Sequence, residues 1–82
     1  MVQVSYRGEL QTIIGKPGDS IDAVKVKDVL RHIRAAYGPV AWKEAKKMLI
    51  VVNTESILLR QVFNTALKNG DTVSFLPICS GG

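Results

Sequence analysis

The residues of this chain best placed to do chemistry are the last two, Gly81 and Gly82. Glycine lacks a Cβ atom, so two in succession pass through a narrow channel and adopt almost any backbone conformation. If Gly82 is the natural terminus, its α-carboxyl group has a pKa of about 3.3–3.7 and is ionised and unreactive as an electrophile at neutral pH. Attack of this carboxylate on the α-phosphate of ATP, bound by a partner enzyme, gives an acyl adenylate. A sulfur or nitrogen nucleophile can then open that adenylate.

A strand is predicted to hold this end of the chain. Thr72 to Leu76 alternate polar residues with β-branched or aromatic ones, which is the period-two pattern of a half-buried strand. Pro77 follows, and because proline has no N–H to donate to a sheet, the chain should leave the sheet there. We therefore expect a folded domain over residues 1–76.

Residues 77–82 are predicted to form a flexible C-terminal tail, in which Ile78, Cys79 and Ser80 precede the two glycines. Six extended residues, at about 3.3–3.6 Å each, reach about 20 Å, which is far enough to enter another protein's active site. Cys79 could hold a persulfide or form a thioester. We interpret it instead as a small apolar residue that packs against a partner, because nothing beside it predicts a lowered thiol pKa.

Size and composition limit what the rest of the chain can do. Eighty-two residues make one domain, too small for a large internal active site, and 46% hydrophobic with 22% charged residues is ordinary for a globular protein. We find neither an apolar run of about 18 residues nor a secretion signal, so no membrane role is expected. A single cysteine forms neither a disulfide framework nor a multi-thiolate metal site, which favours a cytoplasmic location and no bound metal.

The net charge of +4 raises the question of nucleic-acid binding, but the basic residues are scattered. No aromatic residue is predicted to lie among exposed basic positions, as it does in single-strand binders, so we expect no nucleic-acid partner. A solvated face or docking on an acidic partner is favoured. The basic residues of the two predicted helices are Lys25, Lys27, Arg31, Arg34, Lys43, Lys46 and Lys47.

The first half of the chain is predicted to contain a hairpin. Val2, Val4 and Tyr6 alternate with polar residues, which indicates a strand with one face in the core. Residues 10–14 are rich in β-prone side chains and follow a possible turn, so they are expected to form the second strand of the hairpin. Residues 15–20 are dense in turn formers and are predicted to be a loop.

Two helices are predicted next. Apolar residues from Val26 to Tyr37 recur at helical spacing, and Gly38-Pro39 ends that helix. His32 lies off the apolar stripe and is interpreted as a surface histidine, neither a base nor a ligand. A short second helix is predicted over residues 41–47. The side chains of Trp42, Ala45 and Leu49 are expected to point into the core, and Trp42 is interpreted as a packing residue.

The second half is predicted to return to the sheet. Residues 48–52 are continuously apolar, as in a central strand covered on both faces or nearly so. Residues 57–58 are expected to form a short edge strand, and residues 68–71 a turn that begins the last strand. That strand should pair beside the first one. The fold class is therefore α+β, with a mixed sheet of four to five strands, one main crossover helix and a short second helix.

These features resemble a known family. The β-grasp (ubiquitin-like) shape, the length, Val51-Val52-Asn53 before a turn, and the segment Asn69-Gly70-Asp71-Thr72-Val73-Ser74-Phe75-Leu76-Pro77 ending in Gly-Gly are similar to the small sulfur-carrier subunit of molybdopterin synthase. The resemblance implies that Gly82 is adenylated by an enzyme of the ubiquitin-activating type, which uses ATP, and is then converted to a thiocarboxylate by a sulfur donor. The tail would insert into the large catalytic subunit, and this chain would bind no cofactor. We also expect it to be no enzyme itself, because His32, Cys79 and the scattered carboxylates do not supply a nucleophile, a base and an orienting group together.

Other interpretations remain open at the sequence level. The same tail would serve a thiamin-type carrier, a carrier for transfer-RNA thiolation or a ubiquitin-like modifier that joins Gly82 to lysines. A plain interaction module with incidental glycines is a further alternative. The partner is expected to dock on an apolar sheet face near the tail, with Leu58, Phe75 and Leu76 as candidate contacts.

Overall fold

A computed structural model describes residues 1–53, 55–56 and 65–77 of the chain. Five strands form one sheet in the order β2-β1-β5-β3-β4, and β1 and β5 are parallel while the other neighbours are antiparallel. In chain order the elements are β1 (Val2–Tyr6), α1 (Gly8–Ile14), β2 (Gly18–Ile21), α2 (Val26–Tyr37), α3 (Pro39–Lys47), β3 (Leu49–Val52), β4 (Glu55–Ser56) and β5 (Thr72–Leu76).

The first and last strands lie together in the middle of the sheet, as predicted. Val4 pairs with Val73 and Tyr6 with Phe75, and all four side chains are buried on the same face. The helices contribute their apolar side chains to the same core, so they cover this one face of the sheet. The other face carries the alternate residues and is not covered by these helices.

Helix α2 is the crossover helix that the sequence predicts. Its buried residues Val26, Val29, Leu30 and Ile33 follow the expected helical spacing. The Asp28 carboxylate accepts hydrogen bonds from the backbone N–H groups of Val24 and Lys25, which satisfies donors left free at the start of the helix. The predicted second helix is also confirmed as α3, which begins at Pro39 and buries Ala41 and Ala45.

The prediction of a strand over residues 10–14 was wrong, because these residues belong to helix α1. Leu10, Ile13 and Ile14 are spaced for one face of a helix; Leu10 is fully buried, and the two isoleucines pack against the core. Gly15, in the left-handed conformation with φ of 88°, ends the helix and donates its N–H to the Gln11 carbonyl oxygen at 2.8 Å. Core packing outweighs the β preference of the side chains here.

The expected loop over residues 15–20 was also wrong in part, since strand β2 begins at Gly18. It pairs antiparallel with β1, with Val4 opposite Asp19 and Val2 opposite Ile21. A Cβ atom at Gly18 would collide with the carbonyl oxygen of Val4, so glycine permits this close approach. The hairpin partner of β1 is therefore β2, and α1 lies in the connection between them.

Strand β3 lies between β5 and the short edge strand β4, one position from the sheet centre. Ile50 and Val52 are buried, whereas Leu49 and Val51 are half-buried on the opposite face. The expectation that Leu49 turns inward was therefore wrong, and only one face of β3 is fully covered. Residues 57–58, predicted as an edge strand, lie outside the described residues.

The α+β class and the mixed sheet are confirmed, and the described residues contain five strands and one helix, α1, more than expected. The parallel pairing of the first and last strands beneath a crossover helix is the β-grasp arrangement. Among the described residues, no helix has both the length and the apolar character needed to cross a membrane.

Candidate functional site

The site that the sequence predicts begins at β5, the strand at the centre of the sheet. It is hydrogen-bonded to β1 on one side and to β3 on the other, and Val73 and Phe75 anchor it in the core. A central, doubly paired strand is a rigid base for whatever follows it in the chain. The described part of the chain ends at Pro77, immediately beyond this strand, and Ile78, Cys79, Ser80, Gly81 and Gly82 lie outside it.

Pro77 is exposed and lies against Gly8, the first residue of α1. A Cβ atom placed on Gly8 would be 3.3 Å from both Cβ and Cγ of Pro77. Gly8 also has a φ of 59°, a left-handed conformation that other residues adopt only with strain. The absence of a side chain at Gly8 thus makes room for the proline ring where the chain leaves the sheet. The sequence predicted the role of Pro77 as the last residue at the sheet but not this contact.

The start of β5 is fixed by a network of polar side chains. Asp71 accepts a hydrogen bond from the Lys68 N–H at 2.8 Å, and the Asn53 side-chain oxygen accepts one from the Thr72 N–H at 3.1 Å. The Asn53 amide also donates to Asp71 at 3.3 Å. In addition, the N-terminal ammonium group hydrogen-bonds to Asn69. These contacts confirm the predicted turn and set the position at which β5 enters the sheet.

Leu76 lies on the face of the sheet that the helices leave uncovered, and it forms a small apolar patch there. It pairs directly with Leu49 across β5 and β3, and Val51 pairs with Ser74 on the same face. Leu49, Val51 and Leu76 are all half-buried. We call these three residues the open-face patch. Leu76 thus keeps its place as a docking candidate, and the sequence missed its two neighbours because Leu49 was assigned to the wrong face.

The structure does not support Phe75 as a docking residue and does not describe Leu58. Phe75 is completely buried and packs beside Tyr6, with ring centroids 6.3 Å apart, so its proposed docking role was wrong. Strand alternation already distinguished Thr72, Ser74 and Leu76 from Val73 and Phe75, and burial of the larger apolar pair is the favourable choice. Leu58 lies outside the described residues.

A polar cluster that the sequence did not predict surrounds Asp19 at the edge of the sheet. Its carboxylate accepts hydrogen bonds from the hydroxyl groups of Tyr6, at 2.9 Å, and Tyr37, and Lys16 Nζ lies 2.6 Å from its other oxygen. His32 Nε2 lies 3.8 Å from Asp19 Oδ2, and its ring meets Tyr37 edge-on. We call these five residues the Asp19 cluster. His32 was interpreted as a surface histidine, and its side chain is 38% exposed, but the sequence did not predict the carboxylate beside it.

The Asp19 cluster holds its acid in the charged form. Burial alone would raise the pKa of the Asp19 carboxyl, but hydrogen bonds from Lys16, Tyr37 and Tyr6 outweigh burial and lower it below its usual value. Burial and the hydrogen bond to Asp19 raise the pKa of the Tyr6 phenol, and the same two causes raise the pKa of Tyr37. Both carboxylate oxygens are engaged, so the cluster ties β1, β2 and α2 together.

No metal site emerges from the part of the chain that the structure describes. In residues 1–53, 55–56 and 65–77, no three His, Cys, Asp or Glu side chains are grouped to hold a metal ion. Among the described residues, the polar side chains of the Asp19 cluster meet in one place, and they bind one another. The tail itself begins at Pro77. The residues that sequence analysis placed in the tail were predicted from local composition, whereas the Asp19 cluster draws on three separate segments and has no short sequence signal.

Comparison with known proteins places the chain in a family. The family model described as the ThiS family matches residues 4–82. A search of curated protein sequences finds no match. Solved structures match over nearly the whole chain, and three of them are described as different kinds of protein or complex.

The first is a chain of the complex of subunits 1 and 2 of the molybdopterin-converting factor of Helicobacter pylori. It is 28% identical with a TM-score of 0.69, and the match covers 99% of this chain and 97% of that one. The small archaeal modifier protein 1 of Methanosarcina acetivorans is 26% identical with a TM-score of 0.81, and the coverage is 99% and 95%. A chain of the BexX/CysO complex of Amycolatopsis orientalis is 21% identical with a TM-score of 0.81 over 100% of both chains. The match of the family model over all but the first three residues shows that this chain belongs to the ThiS family of ubiquitin-like sulfur carriers.

Proposed function

We propose that this protein carries sulfur as a thiocarboxylate on Gly82 and acts as the small subunit of molybdopterin synthase. The observation that carries the proposal is the central strand β5, which runs directly into exposed Pro77 and then into a sequence that ends in Gly81-Gly82. The similar chain of the Helicobacter pylori molybdopterin-converting factor, 28% identical, supports this pathway. The chain itself supplies the carboxyl group and the binding surfaces, and its partners supply the catalytic groups.

The proposed chemistry has two steps. A carboxylate oxygen of Gly82 attacks the α-phosphorus of ATP on an adenylating enzyme of the ubiquitin-activating type, and pyrophosphate leaves. Hydrosulfide from a sulfur donor then attacks the acyl carbon, a C–S bond forms and AMP leaves with the electron pair of the broken C–O bond. With hydrosulfide the product is directly the thiocarboxylate. ATP is the co-substrate of the activating partner, and the carrier binds no cofactor of its own.

The described residues would serve this chemistry by presenting the tail. Strand β5 is held on both sides, and Pro77 lies in the space left by Gly8, so the chain departs from the domain at a fixed point. The open-face patch adjoins this departure point, because Leu76 immediately precedes Pro77. A partner that contacts the open-face patch would therefore receive the tail in its catalytic centre. We propose the large catalytic subunit of the synthase as that partner.

The test is the intact mass of the protein after incubation with ATP, a candidate adenylating enzyme and sodium hydrosulfide. The mass should rise by the difference between sulfur and oxygen, and the rise should disappear when Gly82 is deleted. The substitution Gln11→Ala, at an exposed position of α1, is the control and should leave the rise intact. Failure to gain sulfur with any activating enzyme of this class would remove the proposal.

A second candidate is a protein modifier, which the similarity to the Methanosarcina acetivorans small archaeal modifier protein 1 favours. In that case the acyl adenylate passes to a lysine amine and forms an isopeptide bond. Mass spectrometry of proteins linked to the chain in cells distinguishes the two functions. Digests that contain lysines joined to Gly82 support the modifier, whereas recovery of only the free and thiocarboxylated protein supports the carrier.

A further inference from the structure

A groove on the helical side of the molecule is not used by the proposed tail chemistry. It has a volume of about 370 Å³ and runs between α2 and α3. We call it the Trp42 groove. Its lining residues are Lys27, Leu30, Arg31, Arg34, Trp42 and Lys46.

The Trp42 groove is strongly positive. Four of its six lining residues are basic. One of them, Arg31, forms a long ion pair with Asp28, with 3.7 Å between Arg31 Nη1 and Asp28 Oδ1. Within the described ranges, Lys27, Arg34 and Lys46 have no carboxylate within 4.0 Å. Cations that are not neutralised inside the molecule are available to neutralise negative charge on a partner.

The floor of the groove is apolar. Leu30 is almost fully buried, and the half-buried Trp42 ring packs against the core as the sequence predicted. The prediction that no aromatic residue lies among the basic positions was wrong, because Arg34 Cζ is 4.8 Å and Lys46 Nζ is 4.1 Å from the centroid of that ring. These are cation–π distances, and they hold two charged side chains at the groove.

The arrangement selects among anionic partners. A nucleic-acid base would stack on the face of the Trp42 ring, but cations already lie over that ring, so base stacking would have to displace them. The positions of Lys27, Arg31 and Arg34 span eight residues of one helix, about 10 Å, which is short for a track that follows a nucleic-acid backbone. An apolar floor with a basic rim instead fits a peptide that offers one apolar side chain between carboxylates. Tryptophan and arginine are also the residues that most often dominate protein interfaces.

We propose that the Trp42 groove docks an acidic amphipathic segment of a partner protein. The apolar side chain of that segment packs on Leu30 and Trp42, and its carboxylates pair with Arg34, Lys46 and their neighbours. This contact lies on the helical side of the sheet, whereas the open-face patch lies on the other side. A partner can therefore occupy the groove while the tail is used elsewhere.

The experiment is a calorimetric titration of the full chain with a short synthetic peptide that has one leucine flanked by glutamates. Trp42 is the only tryptophan, so a change in its fluorescence on binding locates the peptide at the groove. We expect the affinity to fall at least about tenfold for Lys46→Glu and less than about threefold for Lys43→Glu, an exposed lysine of the same helix outside the groove. Raising the salt from about 50 mM to about 500 mM should also weaken binding, because it screens exposed charges.

Three results would overturn the proposal. One is equal affinity for a peptide in which glutamine replaces every glutamate, and another is an equal effect of Lys46→Glu and Lys43→Glu. The third is tighter binding of a single-stranded oligouridine that Lys46→Glu abolishes, which would assign the groove to nucleic acid. Unchanged far-ultraviolet circular dichroism and thermal midpoints of both variants show that a lost affinity is not lost folding. Sulfur loading at Gly82 should be the same in both variants, so this test is independent of the proposed carrier function.

Discussion

At the scale of single residues, the structure assigns an unexpected importance to Asp19. Its side chain is only 14% exposed, yet it accepts hydrogen bonds from two phenols and pairs with Lys16. Each donor comes from a different part of the chain, so one carboxylate links β1, β2 and α2. The Tyr6 hydroxyl has no access to water as an alternative partner, since Tyr6 is fully buried.

The substitution Asp19→Ala should therefore destabilise the fold. It leaves the Tyr6 hydroxyl buried without an acceptor, and a buried unsatisfied donor costs about 1–3 kcal/mol of the free energy of unfolding. Asp22→Ala is the matched control, because Asp22 is exposed on the same part of the chain and should change that free energy by no more than about 0.5 kcal/mol. Urea unfolding, followed by Trp42 fluorescence, measures both. Equal unfolding midpoints for the two variants would contradict a structural role for Asp19.

The same residue should affect acid stability. The pKa of Asp19 is lower in the folded protein than its usual value, so the unfolded chain takes up this proton first as the pH falls. The contribution of Asp19 is thus fully present above the unfolded pKa of about 3.9 and is lost as the pH falls through the folded value. The difference between the urea midpoints of the wild type and Asp19→Ala should narrow as the pH falls from about 6 to about 2.5. A constant difference between them across this range would exclude the linkage.

At the scale of elements, the junction between α1 and the end of β5 is the distinctive feature. Gly8 begins α1 with a positive φ and leaves the space that the Pro77 ring fills. Two costs therefore attach to any side chain at Gly8: the strain of the left-handed conformation and the contact with Pro77. Gly15, at the other end of α1, has a φ of 88°, but no atom of the described residues lies within 4 Å of the position that a Cβ would take there. A side chain at Gly15 therefore carries only the first cost.

Gly8→Ala should accordingly destabilise the protein more than Gly15→Ala. Left-handed strain costs about 1–2 kcal/mol in either variant, and the 3.3 Å contacts with Pro77 add to the cost only in Gly8→Ala. In a Pro77→Gly background, which removes both contacted atoms, the excess cost of Gly8→Ala should disappear. The four free energies of unfolding form a double-mutant cycle that isolates this contact. Additive effects of the Gly8 and Pro77 substitutions would show that the two residues are energetically independent.

Elements also show what a sequence reveals and what it does not. Helix α2 and strand β5 were predicted correctly because their apolar periods agree with the faces that are buried. Residues 10–14 were not, because their β-branched side chains favour a strand locally while their i, i+3, i+4 spacing suits the helix that the core selects. Strand β2 was missed since Gly18, Asp19 and Ser20 have low strand propensity, and only the pairing with β1 makes them extended.

The candidate site also contains parts that local sequence predicts and parts that it does not. The tail was predicted from a local motif, and the position of Pro77 at the end of β5 agrees with that prediction. Phe75 was proposed as a docking residue although it is buried, and the Asp19 cluster and the cations at Trp42 were missed. Each of these depends on which distant segments meet, such as α2 against β2 or α2 against α3. The spacing of residues along the chain does not indicate which distant segments come into contact.

At the scale of the whole molecule, helices on one face of the sheet create two different surfaces. The face that the described helices leave open carries the open-face patch beside the exit of the tail, and the helical side carries the positive Trp42 groove. The Asp19 cluster lies at the β2 edge and joins the helical layer to the sheet through Tyr6 and Tyr37. The stability of the joined layers should therefore follow the titration of these two phenols.

Folding stability should fall in alkaline solution. The pKa values of Tyr6 and Tyr37 are raised in the folded state, so the unfolded chain releases these protons first as the pH rises. Because the unfolded state then binds fewer protons than the folded state, the free energy of unfolding declines above the unfolded pKa of about 10. The slope is about 1.4 kcal/mol per pH unit for each proton.

Tyr6→Phe provides the sharpest test of this alkaline dependence. The variant keeps the ring that packs beside Phe75 but removes one titrating proton. Near neutral pH it should be less stable than the wild type by about 1.5–3 kcal/mol, the usual value of a hydrogen bond to a charged group. Between about pH 10 and pH 11.5 the wild type should lose stability faster, so that the difference between the two proteins shrinks as the pH rises.

Urea unfolding at each pH measures this difference. The control is the exposed, non-titrating substitution Gln11→Ala, which is expected to follow the wild type in parallel. If the Tyr6→Phe curve also stays parallel to the wild type, then the Tyr6 phenol ionises as readily in the folded protein as in the unfolded chain, and the Asp19 cluster does not control the alkaline limit.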